Sequence, residues 1–405
     1  LGKRVLFISD HGDPLAKLGG EQAGGQNNYV KQLALALDDI GIKVDVITHW
    51  SNPEAPMKEN FGQKCRVIRI AAGHKGYMPK NKMYRILPAF YQEIKNKIDL
   101  KSYDIVHSHY WLSGLLGLYV KEEYNLPLVH TSHSLGIAKI EANVKAEKRR
   151  LRAEKMILQG ADRVIATTQT EKELIFKFAG NDVNVEVSSI GVDPVFQPYI
   201  KRKQTAAPTF AFAGRLEKTK GIYTLLEAFK RLHKTSKRMP KLIIAGGDEE
   251  AVDLNKKLPL KSDLREMVKG MEGKIEFIGP QTQEDLAELF NKATSVIVPS
   301  YYESFGMVAA EAQACGTPVI ASDVGGLKNV VSDGETGLLT EPKDPIELSM
   351  AIHELANHSL LVKRLGSQAS KRAKKYFNWK EIAQQLNKTY EVLKHVSSSH
   401  AHVGD

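Results

Sequence analysis

The stretch Glu303-Ser304-Phe305-Gly306-Met307-Val308-Ala309-Ala310-Glu311, ESFGMVAAE, sets two carboxylates eight positions apart around a glycine. Ahead of it, SVIVPSYY (295–302) is an apolar run that reads as a buried strand; behind it, AQACGTPVIASD (312–323) carries a helical pattern into another strand. A strand that gives way to a helix across a glycine marks a doubly wound α/β unit, where ligands bind beyond the carboxyl ends of the strands. Gly306 lets the backbone come close to such a ligand. The N–H groups of Gly306, Met307 and Val308 open a helix whose dipole favours an anion. Glu303 and Glu311 are acceptors suited to the hydroxyls of a sugar or ribose. Two bland or rival readings stand beside this one: acids that merely complement a helix dipole, and a glycosidase acid–base pair.

The same alternation runs outward in both directions. RVLFIS (4–9), KVDVITH (43–49), CRVIRIA (65–71), DIVHSH (104–109), LPLVHTSH (126–133), DRVIATT (162–168) and VEVSSIG (185–191) are β-rich runs separated by helical sequence. In YVKQLALALDDIG, Val30, Leu33, Ala34 and Leu37 recur at helical spacing and Gly41 closes the helix. The polar, proline-bounded QPYIKRKQTAAP (197–208) reads as a linker. The pattern then restarts with TFAFAGR (209–215), KLIIAGG (241–247), KIEFIG (274–279), SVIVPS (295–300), PVIAS (318–322) and GLLTE (337–341). The expectation is an α/β fold of two doubly wound parallel sheets, covered on both faces, with a ligand in the cleft between them. The domains are placed at 1–197 and 198–375. The segment 376–405 is a helix crossing back to the first domain, with a flexible tail.

At 405 residues, 42% apolar and 26% charged, the chain suits two globular cores rather than one. No apolar run nears the roughly 20 residues of a membrane span, and LGKRVLFISD lacks the regions of a signal peptide. Cys65 and Cys315 lack metal-ligand spacing and read as reduced thiols of a cytoplasmic protein. The net charge of +10, with a pI near 9.2, admits nucleic acid, an anionic membrane surface or small anionic substrates. No zinc-finger spacing or aromatic RNA-binding signature accompanies the basic clusters, so nucleic acid is not expected.

Two further loops carry chemistry. In GRLEKTKG (214–221), Arg215 and Lys220 follow a strand end, where two fixed cations suit a diphosphate. In GGEQAGGQNNYV (19–30), Gly24 and Gly25 precede a helix start, where bare N–H groups can face an anion, although the spacing is not the dinucleotide fingerprint. These cations beside the two glutamates favour a phosphorylated ligand over a simple hydrolase substrate.

Together these stretches resemble retaining family 4 glycosyltransferases of the GT-B fold, in which two Rossmann-like domains face each other across a cleft. HSHYWLSG (107–114) and HTSHSLG (130–136) are similar to the subgroup holding sucrose synthases, sucrose-phosphate synthases and the inositol-phosphate N-acetylglucosaminyltransferase of mycothiol synthesis. HGDPLAKLGGEQAGGQNNYV (11–30) resembles cyanobacterial members, some associated with exopolysaccharide assembly, and its EQAGGQ departs from the DTGGQ of sucrose enzymes. The resemblance implies that Arg215 and Lys220 hold the donor diphosphate, completed by backbone at Gly24, Gly25, Gly306, Met307 and Val308. It implies that Glu311 holds the ribose, that Glu303 meets the transferred hexose, and that His133 lies beside the reacting carbon. Lys80, Tyr110, Arg149, Arg150 and Arg152 fall at or near acceptor positions.

The implied activity is retaining transfer of a hexose, glucose from UDP-glucose, with no cofactor and no metal. The first acceptor reading is a lipid-linked or growing saccharide in exopolysaccharide synthesis, made by a cytoplasmic enzyme with peripheral contact to the anionic inner face of the plasma membrane. A phosphorylated sugar or polyol stays open as acceptor. So do a sugar-nucleotide epimerase of the same fold, which would give no transfer product, and a nucleotide-sugar-binding protein without turnover.

Overall fold

The computed structural model describes residues 2–16, 25–141, 145–199, 207–237 and 239–401, with the side chains of Glu249 and residues 398–401 excepted. The chain divides into two compact units, Leu1–Gly191 together with Trp379–Asp405, and Val192–Asn378.

The first unit runs β1 (Arg4–Ile8), α1 (Gly25–Asp39), β2 (Lys43–His49), β3 (Lys58–Phe61), β4 (Cys65–Ile70), α2 (Lys80–Lys97), β5 (Ile105–His109), α3 (Trp111–Tyr124), β6 (Leu128–Thr131), α4 (Gly136–Glu141), α5 (Lys148–Gly160), β7 (Arg163–Ala166), α6 (Gln169–Ala179) and β8 (Val185–Val187). The second runs β9 (Thr209–Ala213), α7 (Ile222–Thr235), β10 (Lys241–Ala245), β11 (Val252–Asp253), β12 (Leu258–Pro259), α8 (Ser262–Val268), β13 (Ile275–Gly279), α9 (Gln283–Lys292), β14 (Ser295–Val298), α10 (Met307–Ala314), β15 (Val319–Ser322), α11 (Leu327–Val330), β16 (Gly337–Thr340), α12 (Pro345–Asn357) and α13 (Ser359–Tyr376). The last helix, α14 (Trp379–Ala401), belongs to the first unit.

The first sheet has the order β3-β4-β2-β1-β5-β6-β7-β8. It is parallel except at one edge, where β3 runs antiparallel to β4. That edge departs from the purely parallel sheet expected. KENF alternates exposed and half-buried positions, which is tolerable for a strand paired on one side only, and its polarity hid it in the sequence. The central strands β5 and β6 are fully buried along their length, polar residues included, because helices cover both faces. One face packs Leu6, Ile8, Leu112 and Leu116 under α2, α3 and α5. The other packs Phe7, Tyr29, Leu33 and Leu37 with Trp379, Ile382, Leu386 and Tyr390 of α14. Each such buried side chain contributes about 1.5–3 kcal/mol. The C-terminal helix is therefore part of the first unit's core.

The second sheet is wholly parallel, in the order β13-β10-β9-β14-β15-β16, with β11 and β12 as a separate short antiparallel pair. The unit begins ahead of the stretch read as a linker. Phe196 stacks on Phe290 at 6.0 Å, and the Asn291 side chain holds Gln197 O and Tyr199 N at 3.0 and 2.9 Å. Most of the expected linker, residues 200–206, lies outside the described residues. Among the described residues no helix is long and apolar enough to cross a membrane.

Strand order reverses between β1 and β5 in the first unit and between β9 and β14 in the second. Each reversal sends neighbouring loops to opposite faces and opens a crevice at the strands' carboxyl ends. The candidate residues gather at these two places.

Candidate functional sites at the two switch points

In the first unit β1 delivers Ser9, Asp10 and His11. Asp10 is fully buried; it accepts from Ser113 Oγ at 2.5 Å and lies 2.9 Å from His11 Nδ1. Gln26, in the first turn of α1, donates to Ser9 Oγ at 3.0 Å, fixing the helix start against the β1 loop. At Gly25 an added Cβ would meet nothing within 4 Å, so the glycine leaves open space in front of the helix. Gly24 lies outside the described residues.

β5 and β6 end in four histidines. His107 is held at both nitrogens, by Tyr390 OH of α14 at 2.7 Å and Thr131 Oγ1 at 2.8 Å. His130 Nδ1 sits 2.8 Å from Ser108 Oγ. His109 Nδ1 meets His133 Nε2 at 2.9 Å. Burial keeps all four rings neutral: the His133 and His130 pKa values fall to about 3, and those of His107 and His109 well below the usual histidine range, where neighbouring imidazoles add to the effect. Sequence reasoning singled out His133 alone; its neighbours' roles depend on register across two strands, which a linear motif does not show.

Two residues here hold backbone conformations that side chains rarely adopt. His133 has φ +59° at the centre of a tight turn closed by Ser134 N to Ser132 O at 2.6 Å. A γ-turn of this hand is rare and strained. Tyr110, at the start of α3, has φ +78° and ψ +158°, a region left almost wholly to glycine. Each costs on the order of 1–3 kcal/mol, and such strain concentrates at functional sites.

The Tyr110 ring collects the basic residues. His11 meets it edge-on at 4.7 Å, Arg150 lies over it at 5.1 Å and Lys80 at 5.7 Å. Arg149 sits over Tyr84, which stacks on Trp111. Arg150 is buried and donates to Glu154 Oε1 at 2.7 Å and to Ser134 O at 2.5 Å, while Glu154 also accepts from Gly136 N at 2.8 Å. That clamp, built around a glutamate the motif reading passed over, fixes the loop carrying His133. A further cation, Lys139, also went unnoticed. Burial, then the charges of Arg150 and Lys80, hold its pKa below the usual lysine range. Arg152 does not join them. Two positions beyond Arg150, it lies about 200° further round α5, exposed, beside a 460 Å³ surface depression with Lys155 and Met156.

In the second unit β9 leads into Arg215 and a single turn of 3-10 helix at Lys218–Lys220. Gly221 follows with φ +76°; a Cβ there would stand 1.8 Å from Pro299 O, so only glycine lets this loop press on the one after β14. Lys220 Nζ thereby reaches Glu303 Oε1 at 2.5 Å, which also accepts from Ser300 Oγ at 3.1 Å. Arg215 stays apart from this pair: it is exposed and bonded to Glu217 of its own loop at 3.0 Å. Gly306, φ +101°, caps α10 without a side-chain partner, and a Cβ there would meet Leu327 at 2.4 Å. The first N–H groups of α10, from Met307 and Val308, have no partner within their own helix.

Glu311, one turn into α10, is half-buried, and its carboxylate has no hydrogen-bond partner among the described residues. Desolvation, then the nearby charge of Asp193, lifts its pKa to about 8. No group of three or more His, Cys, Asp or Glu able to hold a metal converges among the described residues.

Comparison with known proteins gives these two places a family. The model described as "Glycosyltransferase Family 4" matches residues 23–196, and "Glycosyl transferases group 1" matches residues 197–372. The D-inositol 3-phosphate glycosyltransferase of Paenarthrobacter aurescens is 33% identical over 397 residues, covering 94% of this chain and 95% of the relative. That of Corynebacterium aurimucosum is 34% identical over 411 residues, covering 96% and 95%. Sucrose-phosphate synthase from Thermosynechococcus elongatus superposes with a TM-score of 0.82 at 34% identity, covering 97% of this chain and all of that one. Anabaena HepE, solved with UDP-glucose, shares the fold at a TM-score of 0.67 and 20% identity, over 96% and 99% of the two chains. The chain belongs to the family 4 glycosyltransferases, with the two Rossmann-like domains of the GT-B fold.

Proposed function

We propose that this enzyme transfers glucose from UDP-glucose, with retention, to a hydroxyl of a phosphorylated sugar or polyol. The observation that carries the acceptor class is the crowding of Lys80 and Arg150 over Tyr110, with Lys139 near enough to feel both charges. Lys80 and Lys139 have no salt bridge among the described residues, and only Arg150 is committed, to Glu154. Like charges brought together on a strained, aromatic-centred scaffold are stabilised by a dianion, and a phosphoryl group supplies one. Relatives named for inositol 3-phosphate and sucrose phosphate are consistent with that class. The same cluster favours it over the lipid-linked saccharide suggested by the cyanobacterial resemblance.

In this reading the second unit binds the donor. Lys220 exchanges part of its bond to Glu303 for a diphosphate oxygen, and Arg215 swings from Glu217 to the same group. The N–H groups at the start of α10 add to the diphosphate cradle, and Glu311 accepts from the ribose hydroxyls. Glu303, freed from Lys220, meets the hexose. The acceptor hydroxyl then attacks the anomeric carbon from the face the diphosphate leaves. The carbon–oxygen bond to UDP breaks as the new one forms, and the acceptor proton passes to the departing phosphate oxygen. The chain supplies placement and charge, with no protein nucleophile and no metal.

The test is calorimetric titration without added metal, using UDP-glucose, UDP-N-acetylglucosamine, GDP-mannose and ADP-glucose, followed by transfer assays. UDP-glucose binding that is weakened in Lys220→Ala is expected. Equal binding by the variant would remove the donor assignment, and UDP-glucose breakdown or rearrangement without a transfer product would replace it with the epimerase reading.

A further inference from the structure

His109 is fully buried and its two nitrogens fare differently. Nδ1 lies 2.9 Å from His133 Nε2, whereas Nε2 is sealed from water with no hydrogen-bond partner among the described residues. His107 stacks on the ring at 4.4 Å, and Phe7 and Tyr29 lie at 4.7 and 5.9 Å. His107 cannot serve His109, since Tyr390 and Thr131 already occupy both its nitrogens.

Each ring is neutral and carries one proton, so a single proton lies between His109 and His133. If His133 gave it, His109 would keep its own on Nε2, as a buried N–H with no acceptor. A buried N–H left without an acceptor is rare, rarer than an acceptor left without a donor. If His109 gives it, Nε2 holds only a lone pair among aromatic rings. The one proton of His133 then sits on Nδ1, which has no partner among the described residues. The turn at φ +59° and the Tyr29 ring, edge-on at 4.7 Å, hold the His133 imidazole in place.

We propose that His109 is a positioning residue that fixes His133 as its Nδ1-protonated tautomer, so that His133 meets the transferred sugar only as a hydrogen-bond donor. The sugar's identity as the group it meets rests on the function proposed above; the tautomer does not. An acceptor at this point would tolerate a sugar presenting a hydroxyl hydrogen, whereas a fixed donor demands an oxygen lone pair.

The direct test is a long-range proton–nitrogen NMR spectrum of the intact protein labelled with 15N-histidine, without ligand, with His133 identified by the signals missing in His133→Gln. The expected result is a protonated Nδ1 and a bare Nε2 at His133 from pH 6 to 8. A protonated Nε2, or an imidazolium, would overturn the proposal. His109→Phe keeps the aromatic packing and removes the donor, so His133 should lose its fixed tautomer and kcat should fall about tenfold with the donor KM little changed. His109→Asn, whose amide can donate from near the Nδ1 position, should restore both. Equal losses in both variants would reduce His109 to a packing role. Since the spectrum needs no turnover, failure to use UDP-glucose would sink the proposed function and leave the tautomer result standing.

Discussion

The two units use one topology to hold their polar groups in different ways. At the β1/β5 reversal the first unit gathers groups already in place: four neutral imidazoles, two strained backbone positions, a carboxylate tied to Ser113 and His11, and the cations Lys80, Lys139 and Arg150 close by. At the β9/β14 reversal the second unit gathers two ion pairs, Lys220 on Glu303 and Arg215 on Glu217, beside the Glu311 carboxyl, which has no hydrogen-bond partner among the described residues. Neutral donors fixed by packing need no reorganisation when a sugar arrives. Cations that stay paired with carboxylates avoid exposing a bare charge, yet release it to a diphosphate that binds more strongly. The lesson is that a switch point dictates where a ligand sits and leaves the chemistry to the loops.

The contrast breaks most easily at Lys220. Lys220→Ala should cut transfer by about 10²–10³-fold and weaken UDP binding, while thermal stability moves little because the lost ion pair is part-exposed. A titration beside a melting curve checks both. Removing His133 should cost about 10²-fold in kcat, but here the choice of residue matters. Glycine relieves the positive φ and alanine does not, so His133→Gly should be more stable than His133→Ala by about 1 kcal/mol with both slowed to the same extent. Urea unfolding of the two variants reads that difference.

Smaller effects sharpen the picture. Lys80→Ala should raise the KM for a phosphorylated acceptor about tenfold or more and leave the donor KM unchanged, as read from initial rates. Glu311→Gln should weaken UDP binding about tenfold and alter stability in a pH-dependent way. The folded pKa near 8 exceeds the 4.5 of an ordinary glutamate, so this carboxyl favours the folded state below pH 4.5 and loses that advantage as pH rises through 8. The variant cannot ionise, so its melting temperature relative to the parent should climb between pH 5 and pH 9. Arg152→Ala, on the outer face of α5, should change no rate by more than about twofold.

Much of this fold could be read from the sequence because a doubly wound sheet writes its strands as apolar runs punctuated by helical periodicity. VLFI, VDVIT and VIVP are plain in that sense. KENF is not, since an edge strand needs only one satisfied side. The site was legible where a single loop carries it. ESFGMVAAE and GRLEKTKG each announce a strand end, a close backbone approach and a charge. It was not legible where the chemistry depends on distant partners. Glu154 earns its place only once Arg150, Ser134 and Gly136 are folded around it. Arg150 and Arg152 look alike in RRLR, and helical phase alone separates them. The strain at Tyr110 and His133 has no sequence signature, because neither residue is a glycine.

The most direct measurement of the central claim is transfer of labelled glucose from UDP-glucose into a matched set of acceptors: inositol phosphate and fructose 6-phosphate, the same polyol and sugar without phosphate, and a lipid-linked saccharide. The account predicts a labelled product with one of the phosphorylated acceptors, little with its unphosphorylated partner, and loss of that preference in Lys80→Ala. Equal use of both forms, or product with the lipid-linked saccharide alone, would contradict it.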